Sequence, residues 1–118
     1  MVACGSLLAF LAVVSGAFGA HGLEKTLDAY HLKIWHTAAS YHMVHALALV
    51  LLGLFERQLG RHLFWARWGF LSGIFLFSGS LYALALTGIS KLGMITPIGG
   101  LSFLMGWVAF AWSGYKAR

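Results

Sequence analysis

The chain has 118 residues, of which 60% are hydrophobic and 9% charged, with eight Lys and Arg against three Asp and Glu and a formal net charge of +5. A soluble domain carries about 25% charged residues, so this composition leaves too few polar groups to cover a surface in water and assigns the apolar side chains to lipid. The basic residues are spread along the chain, which excludes nucleic acid as a partner and reads as loop charge that orients a protein in a membrane.

Val2 to Ala20 is an uncharged run of 19 residues. Ala17-Phe18-Gly19 would pass as a signal-peptide cleavage site, but no Lys or Arg precedes the run. Ala12, Gly16 and Ala20 recur every four positions, a spacing that makes a smooth stripe for close helix packing, so the run reads as a retained helix. Cys4 is the single cysteine, which rules out an internal disulfide, and its apolar surroundings suit packing rather than redox chemistry.

His21 to His36 is a polar interval. Leu23, Leu27, Tyr30 and Ile34 share a helical face, while Glu24, Lys25, Asp28 and Lys33 lie elsewhere. This pattern predicts a short amphipathic helix at the membrane surface, with Tyr30 and Trp35 at headgroup level. Thr37 to Phe55 follows, 19 residues with no Lys, Arg, Asp or Glu. At ~1.5 Å per residue it is long enough to cross a hydrocarbon core of ~30 Å.

Glu56 to Arg67 is a basic connection with Arg57, Arg61 and Arg67, flanked by Trp65 and Trp68. Trp68 to Thr87 is the third uncharged run, with a Gly69–Gly73 pair for close packing and then Phe77-Ser78-Gly79-Ser80-Leu81-Tyr82. The short Gly88–Lys91 connection predicts an antiparallel hairpin with the fourth run, Leu92 to Tyr115. Pro97, within Thr96-Pro97-Ile98-Gly99-Gly100, either kinks that helix or occupies its first turn. The fold class is therefore all-α and integral to the membrane: four transmembrane helices in an antiparallel bundle, plus a short interfacial helix between the first and second, in one domain spanning 1–118. With four spans, the amino end, the Glu56–Arg67 loop and the tail share a side that carries five basic residues (Arg57, Arg61, Arg67, Lys116, Arg118) against three (Lys25, Lys33, Lys91) on the other. The positive-inside rule then predicts that both termini of this multi-pass inner-membrane protein are cytoplasmic.

Threading the runs through a bilayer puts the polar residues at similar depths in its outer half. His42 and His45 lie on the second helix, Ser78, Ser80 and Tyr82 on the third, Thr96, Pro97, Gly99 and Gly100 on the fourth, and His21 closes the first. An ionisable residue at such depth is costly and faces a bundle interior, so these ten residues form the candidate intramembrane cluster, with Ser78 and Tyr82 the expected partners of His45. Gly16, Gly69 and Gly73 are the packing glycines. His42 and His45, spaced i, i+3, share a face that could hold one metal ion; the simpler reading gives both imidazoles hydrogen bonds to neighbouring helices. Haem is excluded within one chain, because two residues one turn apart cannot approach iron from opposite faces.

No Asp or Glu lies inside a span, and there is no phosphate loop, nucleophile elbow or Cys-x-x-Cys. No catalytic residue is assigned and no cofactor is expected. The residues fit an accessory or assembly component in the bilayer, alone, as a homo-oligomer or in a larger complex. The alternatives are a small oligomeric transporter or channel and a metal- or quinone-binding redox module using His45.

Several blocks together resemble a known family. They are Gly16-Ala17-Phe18-Gly19-Ala20-His21-Gly22, Thr37 through Tyr41 to His45-Ala46-Leu47-Ala48, Phe77 to Tyr82, Thr96 to Gly100, and Gly106-Trp107. Their order and spacing resemble the small membrane proteins of the domain of unknown function 423 family, to which the eukaryotic transmembrane protein 256 is similar. The resemblance covers nearly the whole chain and implies a four-helix inner-membrane protein, without implying an activity. The family's blocks include His21, His45, Tyr82 and the Thr96-Pro97 turn; His42 lies outside them.

Overall fold

In the computed structural model, which describes residues 1–117, the chain is helical with no strand among the described residues. Arg118, one of the five basic residues on the loop side, lies outside them. The elements in order are α1 (Val2–His21), α2 (Ala29–Leu59), α3 (Phe64–Gly73), a π-helical turn (Ile74–Ser78), α4 (Gly79–Thr87), a 3-10 turn (Ser90–Met94) and α5 (Thr96–Lys116). They make four stretches long and apolar enough to cross a bilayer: Val2–His21, Ala29–Leu59, Phe64–Thr87 and Ser90–Lys116. α1 runs along α2, α2 along the third stretch, and the third along α5. Half of the apolar stretch of α2 and of the third span is buried within the bundle, against 17% for the first and fourth. The inner pair is therefore the core and the outer pair faces lipid.

The expected separate interfacial helix is not present. Residues 22–28 are turns, and the helix that starts at Ala29 continues through Leu59 without a break, 31 residues in all. Asp28 is its N-cap, accepting from the His31 amide at 2.8 Å, and nothing between Ala29 and Thr37 interrupts helical hydrogen bonding. The His31 amide, and then the His31 ring, hold the Asp28 carboxyl below the usual carboxylate range. Tyr30 is exposed, as a headgroup-level residue should be, but Trp35 is buried and donates its indole Nε1–H to the Ser15 carbonyl of α1 at 2.7 Å. An indole whose N–H finds a partner inside the bundle has no need of the interface.

The packing stripe of α1 also differs from expectation. Its buried residues are Gly5, Ala12 and Gly19, spaced by seven. A Cβ at Gly5 would lie 2.8 Å from the Ala46 carbonyl of α2, whereas a Cβ at Gly16 would meet nothing within 4 Å and Ala20 is exposed. A seven-residue step nearly closes two helical turns and keeps facing a partner, while a four-residue step drifts around the helix. The Gly69–Gly73 pair does make close contact: a Cβ at Gly69 would lie 2.6 Å from Gly106 Cα, and one at Gly73 would run into the Phe103 ring.

α2 ends at Gly60, whose φ of 71° closes the helix in the left-handed region, and Gly88 ends α4 in the same way. α3 starts at Phe64, four residues before the uncharged run, because Arg67 is paired and so can sit in its first turn. Pro97 occupies the first turn of α5, where its missing N–H costs nothing, and it kinks no helix. The main core gathers Leu49 and Leu52 of α2, Leu63, Ala66, Phe70 and Ile74 of the third stretch, and Phe103 of α5.

A candidate polar site between the helices

Two features of the backbone position the polar cluster. α2 is continuous, so His42 and His45 emerge one turn apart on its buried side. The third span carries the π-turn, in which the Gly79 amide reaches the Ile74 carbonyl five residues back. Such a turn inserts one residue and rotates everything after it relative to what precedes it. Ser78 at its end is fully buried and donates to the Ala38 carbonyl of α2 at 2.8 Å. Gly99 packs against the Phe77 backbone so closely that no Cβ would fit.

The two histidines serve different interfaces. His42 faces α4, with Nδ1 2.9 Å from the Tyr82 hydroxyl. Its Nε2 is the one buried side-chain polar atom among the described residues without a hydrogen-bond partner; the Leu8 carbonyl of α1 interacts with the ring, but outside hydrogen-bond geometry. His45 faces α5. The Trp107 indole N–H donates to His45 Nε2 at 2.9 Å, and His45 Nδ1 lies 2.8 Å from the Tyr41 carbonyl. A carbonyl only accepts and an indole only donates, so His45 is the neutral tautomer with its proton on Nδ1. Its ring stacks on Phe103 with centroids 3.5 Å apart and planes 11° from parallel. The expected partners, Ser78 and Tyr82, do not reach His45: Tyr82 goes to His42 and Ser78 to Ala38. Depth alone cannot distinguish residues i and i+3, because they differ by less than a turn in height but by tens of degrees in azimuth.

Ser80 and Thr96 hydroxyls meet at 2.7 Å, and Ser80 also donates to the Phe77 carbonyl. This bond ties α4 to the start of α5. Pro97 is exposed and Gly100 half-buried, and both line a groove rather than bonding into the cluster. His21 is exposed at the end of α1 and belongs to neither histidine site. The ten candidates thus divide into a His42–Tyr82 contact, a His45–Trp107 contact, a Ser80–Thr96 contact, Ser78 bonded to the α2 backbone, the Pro97–Gly100 turn, and His21 apart. No group of three His, Cys, Asp or Glu that could hold a metal ion occurs among the described residues. His42 and His45 aim at different helices, which removes the geometric basis of a shared metal site.

Beside His45, between α2 and α5, an open groove of about 760 Å3 is lined by Tyr41, Val44, Phe77, Leu101, Phe103 and Trp107 among others. Its walls are aromatic and aliphatic, with His45 at its floor satisfied from within the chain. Trp107 and Phe103 are residues that depth reasoning missed. The signal was available in Gly106-Trp107, where the glycine allows the close α3–α5 approach and the following indole brings a donor into an otherwise donor-poor segment.

A second polar centre lies at the loop end. Glu56 is buried at 5% exposure, accepts from the Leu63 amide at 2.7 Å, and binds Arg67 through Nε and Nη2. In the sequence it stood only at the end of an apolar run, as the first residue of the basic connection. The single carboxylate beside three arginines was the available sign that it would pair inward.

Comparison with known proteins accords with this architecture. A family described as "Protein of unknown function (DUF423)" matches residues 15–100. The chain is 45% identical over 112 residues to a UPF0382 membrane protein of Staphylococcus aureus, covering 95% of this chain and 92% of that protein. It is 49% identical over 104 residues to one of Staphylococcus epidermidis (88% and 85%), and 45% identical over 114 residues to YwdK of Bacillus subtilis (95% and 93%). No solved structure matches. With a family match over most of its length and membrane-protein relatives aligned nearly end to end, the chain belongs to the DUF423 family.

Proposed function

We propose that this membrane protein works as a structural, accessory or assembly component of the cell membrane, with both termini cytoplasmic, and that the face between α2 and α5 is its working surface. The observation that carries this reading is how the intramembrane polar groups are used. Ser78, Ser80, Thr96, Tyr82, Trp107 and both nitrogens of His45 are engaged in contacts within the chain, and no carboxylate is among them. Groups consumed in holding helices together are not available to carry an ion or a proton across. The α2–α5 groove, by contrast, offers aromatic walls to whatever packs there.

The test is one purification from membranes. A photo-crosslinking residue at Leu101, in the groove, is expected to yield a discrete protein adduct, and one at Phe10, on the lipid face of α1, none. The reconstituted protein is expected to show neither ion flux in liposomes nor a visible absorption band. Flux would favour the oligomeric transporter, a reading supported by the unpartnered His42 Nε2. Stoichiometric metal or a chromophore would favour the redox module.

A further inference from the structure

The loop end of the bundle holds a cavity of about 390 Å3 between the first turn of α1, the end of α2 and the start of α3. Glu56, Arg57, Arg61, His62 and Arg67 line it. Charge at this site is strongly unbalanced. Glu56 is taken up by Arg67 and the Leu63 amide. The other two acidic residues, Glu24 and Asp28, lie in the turn at the opposite end of α2. Arg57 and Arg61 have no acidic partner among the described residues and are exposed. Arg67 Nη2 donates to His62 Nδ1 at 2.8 Å, which puts the ring's proton on Nε2, free to donate. Trp65 and Trp68, both exposed, place this end at the height of lipid headgroups.

We propose that this cavity binds the phosphodiester of an anionic phospholipid, with the Arg57 and Arg61 guanidiniums as the charged donors and His62 as a further donor. Guanidinium matches a phosphate oxygen pair by geometry as well as charge. Basic cavities between transmembrane helices at the membrane surface suit such headgroups. The pairing of Glu56 with Arg67 has a part in this: it removes the one carboxylate that would repel the phosphate, and it holds the α2–α3 corner in shape.

The experiment is a titration of the purified full chain in neutral detergent, read as the rise in unfolding temperature. Short-chain phosphatidylglycerol is expected to raise it, and phosphatidylcholine is not. Inorganic phosphate at equal concentration is also expected to have no effect; an equal rise with it would identify a free-anion site and overturn the lipid assignment. Arg57→Gln/Arg61→Gln is expected to weaken the apparent affinity for phosphatidylglycerol by roughly 30-fold, the effect of removing two arginines at a membrane surface. Should the double variant not fold, Arg61→Gln alone is expected to lose about fivefold. Lys116→Gln, at the same end of the bundle, should leave the affinity unchanged. A loss as large in Lys116→Gln, or none in the arginine variants, would show diffuse charge attraction and overturn the proposal.

Discussion

His45 is held on both nitrogens and one face, so its replacements separate a structural role from a chemical one. His45→Gln keeps a donor and an acceptor and is expected to leave thermal stability nearly unchanged. His45→Leu leaves the Trp107 N–H and the Tyr41 carbonyl without their side-chain partner and is expected to cost about 1–2 kcal/mol in detergent unfolding. A stable Gln variant that had lost a cellular phenotype would make His45 a functional group. Glu56 is the other residue on which much depends. Glu56→Ala strands the Leu63 amide and leaves Arg67, itself 23% exposed, without its partner. Removing one member of a fully buried pair costs several kcal/mol; with Arg67 partly solvated, we expect about 2 kcal/mol. Glu56→Gln, which can still accept from Leu63, should lose less. Equal loss for Ala and Gln would mean that the charge pair, not the amide contact, holds the corner.

Among the elements, α3 and α5 approach closely because glycine meets glycine: Gly69 faces Gly106 with no room for a Cβ. In a bilayer, helices are held by van der Waals contact and interhelical hydrogen bonds rather than by exclusion from water, so this approach matters more than it would in a soluble bundle. Gly73→Leu has to displace the Phe103 ring and, through it, the stack on His45. We expect it to cost about 1–3 kcal/mol, the usual range for overpacking, measured by thermal unfolding in detergent. Gly16→Leu, which meets open space, is expected to be neutral, and a loss there equal to that at Gly73 would show that α1 has a partner on its outer face. The π-turn belongs to this scale too. By adding one residue it turns Ser78 toward α2, where its hydroxyl adds a buried hydrogen bond to the His42–Tyr82 contact between the same two spans.

For the whole molecule, the distribution of charge leads us to propose an orientation by the positive-inside rule. Among the described residues, Arg57, Arg61, Arg67 and Lys116 lie with the Glu56–Arg67 loop and the tail, and Lys25, Lys33 and Lys91 at the other end. Single cysteines placed in that loop should resist impermeant thiol reagents in whole cells, and cysteines beside Lys91 should react, all in a Cys4→Ser background. Equal labelling of both would indicate dual insertion and would strengthen the transporter reading. The exposed outer faces of α1 and α5 make the molecule a two-helix core with lipid-facing flanks, which leaves the groove beside Trp107 accessible from within the bilayer.

The number of apolar spans, their rough limits and the basic loop were legible in the sequence. These depend on apolar length against bilayer thickness, a property measured along one dimension. The Gly69–Gly73 contact was legible for a related reason, since small residues one turn apart have few other uses in a span. What only the tertiary structure decided was azimuth: which side of each helix meets which neighbour. Each residue turns the helix by about 100°, so a single inserted residue at the π-turn, or a stripe stepping by seven rather than four, reassigns partners without changing any depth. For that reason His45 went to Trp107 and His42 to Tyr82, and Gly5 and Gly19 took the place of Gly16. Glu56 turned inward because the Leu63 amide and Arg67 return to it across a corner, a closure no single run of the sequence contains.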